Sequence, residues 1–138
     1  MLSESIHLVS DASENFFKLT VKEYPIEPMT WLYIDKLLPE VMAHAAMTGL
    51  GREMDSYKPS MTLKPEVEEV LYEYYNACRS YAESTPFDYD DGTFNIVTSD
   101  MLTITLIRLQ DSLKKVKLNR TPFVKSIRKV RTDIEWDS

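Results

Sequence analysis

Cysteine is almost missing from this sequence. Cys78 stands alone, so no disulfide can form within the chain, and nothing in its cysteine usage calls for an oxidising compartment. Glycine is scarce as well, with three in 138 residues, which leaves little backbone for turns that cradle phosphates or dinucleotides. No Gly-x-Ser-x-Gly or phosphate-loop spacing occurs. Only two histidines are present, His7 and His44, and a zinc site wants three or four converging ligands. No apolar run approaches the roughly 20 residues that a membrane-spanning helix requires. The first residues, Met-Leu-Ser-Glu-Ser, have neither the basic nor the apolar region of a secretory signal. These absences predict a soluble, cytoplasmic, non-enzymatic protein with no metal and no cofactor.

What the chain does have is a strongly partitioned charge. Residues 1–107 hold 7 Lys/Arg against 18 Asp/Glu, a net of −11. Residues 108–132 hold 9 Lys/Arg against Asp111 alone, a net of +8. A local field of this kind, more than the overall −6, decides which partners approach. The length fits a single domain, 1–138, with a basic C-terminal segment on an otherwise acidic body.

Periodicity predicts the elements. Ile6 and Leu8, then Phe17, Leu19 and Val21, alternate with polar residues around the turn-rich stretch Asp11–Asn15, which reads as a hairpin. Residues 29–49 read as two short helices, the second started by Pro39 and closed at Gly49. The clearest helix is 65–83, with Pro65 in its first turn and Val67, Val70, Leu71, Tyr74, Ala77, Cys78 and Tyr81 on one face. Residues 86–97 read as a second hairpin around Asp91-Gly92. Thr98, Ser99 and Asp100 then cap a helix over 100–118, and Val130–Trp136 alternates as a last strand. The order predicts an α+β fold: a single compact domain of three to four helices on a small antiparallel sheet.

Several constellations invite a functional reading. Arg108, Lys114, Lys115, Lys117, Arg120, Lys125, Arg128, Lys129 and Arg131 form a basic strip. It could serve nucleic-acid phosphates, a protein partner, or the chain's own acidic body. Interleaved aromatics are thin, with only Phe123 and Trp136 nearby, and the acidic body repels a long duplex. A protein or subunit partner is therefore preferred over nucleic acid. Ile104, Ile107 and Leu118 lie opposite the Leu102–Leu106–Leu109 stripe and are read as an oligomer contact, so a homo-oligomer is expected. Asp88, Asp90 and Asp91 resemble the start of a calcium loop but lack its later ligands. Glu40 and His44 share a helix face without further ligands, and Cys78 falls on an apolar face where a thiol is inert. Tyr72, beside glutamates, reads as an exposed recognition residue. Acidic, motif-poor composition of this kind also suits an accessory factor of a phage or mobile element.

Overall fold

The computed structural model describes residues 2–85 and 92–116. Four helices account for most of them: α1 Leu2–Glu23, α2 Glu27–Gly49, α3 Pro65–Ser84 and α4 Gly92–Val116. Among the described residues there is no strand, so the expected α+β sheet is replaced by helix-on-helix packing.

The segment expected to be the first hairpin lies inside α1. Its buried residues are Ser5, Val9, Ala12, Ser13, Phe16, Phe17 and Thr20, a spacing of three and four that only a helix puts on one side. Leu8, which supported the alternating pattern, is 54% exposed. The second expected hairpin fails in the same way. Its C-terminal part, from Gly92 onward, is the first turns of α4, and residues 86–91 lie outside the described residues. The cap expected at Thr98–Asp100 is therefore a helix interior. The expected last strand, 130–136, also lies outside the described residues.

Pro39 does not divide α2, which runs unbroken past it. The ring removes one backbone donor, a cost of about 3 kcal/mol or more in a helix interior. Leu37, Leu38, Val41 and Met42 flank it and are each at most 1% exposed, and their burial offsets that cost. The end of α2 is a Schellman motif two residues beyond the expected place, with Gly51 and not Gly49 as its C′ glycine. Leu50 is the cap, Gly51 takes the positive φ of +94°, and the Gly51 and Arg52 amides donate to the Thr48 and Met47 carbonyls. Gly49 has another task. A Cβ there would lie 2.6 Å from both Ala82 Cβ and the Arg79 carbonyl, so glycine is what lets the end of α2 touch α3.

Side-chain contacts fix the directions. Ser5 meets Ser84 while Tyr24 meets the Lys64 amide, so α1 and α3 are antiparallel. Tyr74 with Thr105 and Tyr81 with Asp100 make α3 and α4 antiparallel. His44 beside Tyr75, and Gly49 beside Arg79, make α2 and α3 parallel. The order is up, down, down, up, and the 50–64 segment is the long crossover that two parallel neighbours require. The core between the helices is built from Phe16, Phe17, Leu37, Met42, Leu71, Tyr74, Met101 and Leu109, all at most 1% exposed.

Candidate functional site

Two places gather chemically distinctive residues. The first is where the crossover lies on α2 and α3. Glu40 and His44, one helical turn apart, face it together as their spacing predicts. The Glu40 carboxylate accepts from the Tyr57 hydroxyl at 3.1 Å, the Ser60 amide at 3.0 Å and the Ser60 hydroxyl. His44 Nε2 donates to the Asp55 carbonyl at 2.9 Å. The Tyr72 hydroxyl donates to the Tyr57 carbonyl at 3.1 Å, so Tyr72 holds the crossover and is half-buried instead of presenting an exposed recognition patch. Tyr57 itself stacks on Tyr75 with ring centres 5.1 Å apart. Burial, and then the neighbouring Glu40 charge, push the Tyr57 hydroxyl well above its usual 10.0, which keeps it a donor.

His44 Nδ1 lies 2.7 Å from the Tyr75 hydroxyl, which also lies 3.1 Å from the Thr48 hydroxyl. With Nδ1 bare, Tyr75 donates to it. With Nδ1 protonated, Nδ1 donates to Tyr75, and Tyr75 turns its hydrogen to Thr48. Both states of the ring are satisfied by one hydroxyl rotation. An open concavity of about 820 Å³ adjoins this network, lined among others by Lys36, Asp55 and Lys58. Its Glu40 and His44 side chains are engaged in fastening the crossover. Among the described residues no group of three or more His, Cys, Asp or Glu side chains is placed to hold a metal ion.

The second place is α4. Of the expected basic strip, Arg108 turns inward. Its guanidinium pairs with the Asp11 carboxylate, and its Nε sits 3.3 Å from Glu14 Oε2, off the hydrogen-bonding axis. Glu14 is also held by Lys18 at 2.8 Å. Arg108 thus ties α4 to α1. Lys114 is exposed near the end of α4 and Lys115 follows it in the helix. Lys117, Arg120, Lys125, Arg128, Lys129 and Arg131 lie outside the described residues.

The expected oligomer contact also divides. Ile104 is partly buried against the core, Ile107 is 60% exposed, and Leu118 lies outside the described residues. Sequence reasoning missed Ile96, also 60% exposed, because it assigned that residue to a strand. Once α4 starts at Gly92, Ile96 falls on the same outward stripe as Ile107. Ser99, Asp100, Thr103, Gln110, Asp111 and Lys114 are the other exposed residues along it. The inner face is Val97, Met101, Leu102, Leu106 and Leu109.

Cys78 is fully buried on α3, and burial pushes its thiol up to about 12, so it is held as an unreactive thiol. No helix among the described residues is long and apolar enough to cross a membrane. Comparison with protein-family models, curated proteins and solved structures found no match.

Proposed function

We propose that the chain is a non-enzymatic interaction or assembly protein of the cytoplasm, binding a protein partner or itself, with self-association as its principal form. The observation that carries this reading is the pair Ile96 and Ile107, each 60% exposed on one stripe of a helix whose other face is firmly in the core. Burying an isoleucine side chain fully is worth about 1.5–3 kcal/mol, so a partner on this stripe would recover part of that twice. The inward turn of Arg108 supports the same reading over phosphate binding, since its charge is already spent on Asp11 and Glu14.

Light scattering across the micromolar range tests it. The expected result is a mass above 16.0 kDa that rises with concentration. Ile107→Lys should return the mass to the monomer with an unchanged circular-dichroism spectrum, because the residue is a surface one and such changes usually fall within about 0.5 kcal/mol. A single 16.0 kDa species throughout would contradict self-association. Micromolar oligonucleotide binding that falls steeply with salt, and is lost when Lys115, Lys117, Lys129 and Arg131 are changed to Glu, would establish the nucleic-acid alternative.

A further inference from the structure

The crossover between α2 and α3 is held by few anchors. Across residues 51–64 only Tyr57 and Leu63 are buried, and most of the others are exposed. Tyr57 lies in a cleft whose walls belong to α2 and α3. Its ring stacks on Tyr75 at 5.1 Å, and the rings of His44 and Tyr72 stand edge-on to it at 5.5 Å and 6.0 Å. The Glu40 carboxylate closes the cleft by accepting from the Tyr57 hydroxyl at 3.1 Å. The walls are held without help from the residue between them. Tyr75 is fixed to His44 Nδ1 at 2.7 Å and to Thr48 at 3.1 Å, and the adjoining Val41, Ala45, Leu71 and Tyr74 are at zero exposure in the core. An aromatic slot that ends in a carboxylate is shaped for a phenol.

The other polar contacts of the cleft read mainly backbone. His44 Nε2 donates to the Asp55 carbonyl at 2.9 Å, the Tyr72 hydroxyl donates to the Tyr57 carbonyl at 3.1 Å, and the Ser60 amide donates to Glu40 at 3.0 Å. Any chain in the same conformation offers those groups. Only the Tyr57 side chain and the Ser60 hydroxyl, which also donates to Glu40, are read as side chains. The cleft therefore selects a tyrosine on a non-helical segment, with a serine three residues on. The concavity of about 820 Å³ beside it leaves room for the residues that flank such a tyrosine.

We propose that the cleft of Glu40, His44, Tyr72 and Tyr75 is a receptor for a tyrosine on a non-helical segment of a partner protein, and that Tyr57 fills it as an internal stand-in which the partner displaces. This goes beyond self-association and uses other residues. The tether sets the competition. Tyr57 lies midway between the end of α2 at Gly49 and the start of α3 at Pro65, so its ring returns to the cleft at an effective concentration in roughly the millimolar range. A partner segment has to outcompete it, whereas a chain without the ring leaves the cleft free.

A fluorescently labelled peptide copying residues 53–61 is the probe, its binding to the full chain read by anisotropy. It should bind Tyr57→Ala at least about tenfold more tightly than the wild type, where the tethered ring competes. The same peptide carrying Tyr57→Ala should bind neither chain, and adding Glu40→Ala to the Tyr57→Ala chain should lose the original peptide. In isotope-labelled wild type, unlabelled peptide at roughly millimolar concentration should speed hydrogen exchange at the Ser60 amide by displacing the crossover, while the amides of α1 and α4 keep their protection. A Tyr57→Ala chain that keeps its circular-dichroism spectrum and does not bind the peptide, or binds the alanine peptide equally well, overturns the inference. If Tyr57→Ala fails to fold, the wild-type measurement decides: a Ser60 amide whose exchange the peptide leaves unchanged overturns it as well.

Discussion

The Cys78 thiol sits at zero exposure among Leu71, Tyr74 and Tyr81 on the inner face of α3, and its place dictates a dependence on pH. The ordinary value is 9.0 and the folded one about 12, raised by burial. A raised value favours the neutral thiol in the folded state. Its contribution is therefore complete below pH 9 and is lost as pH climbs toward 12, with a slope of about 1.4 kcal/mol per pH unit. The urea midpoint of the wild type should begin to fall just above pH 9. In Cys78→Ala the fall should begin only near pH 10, where buried tyrosines such as Tyr81, pushed up to about 12 by burial and then by Asp100, take over. Identical pH profiles for the two chains would contradict the placement. Gly49 gives a second residue-scale test. In an ordinary helix Gly→Ala gains up to about 1 kcal/mol. Here the added Cβ meets Ala82 and the Arg79 carbonyl at 2.6 Å, so Gly49→Ala should instead lose about 1–3 kcal/mol in urea denaturation. A gain would show that the α2–α3 approach is looser than described.

At the scale of elements, the crossover is the most separable part. Its hold depends on Glu40, which takes three hydrogen bonds from Tyr57 and Ser60. Glu40→Ala should speed hydrogen exchange at the Ser60 amide and expose residues 50–64 to proteolysis, while α1 and α4 keep their protection. Uniform loss of protection would mean that the crossover is integral to the core. The helices themselves were unevenly legible. α3 could be read almost to the residue, because Pro65 opens it and its apolar face is written in large side chains. α1 and the start of α4 could not, because half their inner faces are hydroxyls and small residues. Ser13, Thr20, Thr98 and Ser112 are buried yet return their hydroxyls to carbonyls three or four residues back in the same helix, so they are at home inside. A hydropathy pattern counts them as polar, and the remaining Phe, Leu and Val then fall into a false alternation. Ile96 was lost to that error, whereas Ile107 was found because its half of α4 is patterned in leucine.

For the whole molecule, charge and topology act together. The up-down-down-up order leaves α4 packed on α1 and α2 with its Ile96–Ile107 stripe to the outside, and Arg108 fastens its flank to α1. The acidic body and the basic segment were plain in the sequence, since charge needs no fold to be counted. Which basic residue is spent internally was not, because Asp11 and Glu14 stand nearly a hundred positions from Arg108. The central claim is that this stripe joins two copies, and sedimentation equilibrium of the wild type beside Ile107→Lys tests it most directly. The account predicts a wild-type mass approaching twice 16.0 kDa with rising concentration and a variant that stays at 16.0 kDa while melting at the same temperature. A wild type that stays at 16.0 kDa, or a variant that associates equally well, would contradict it.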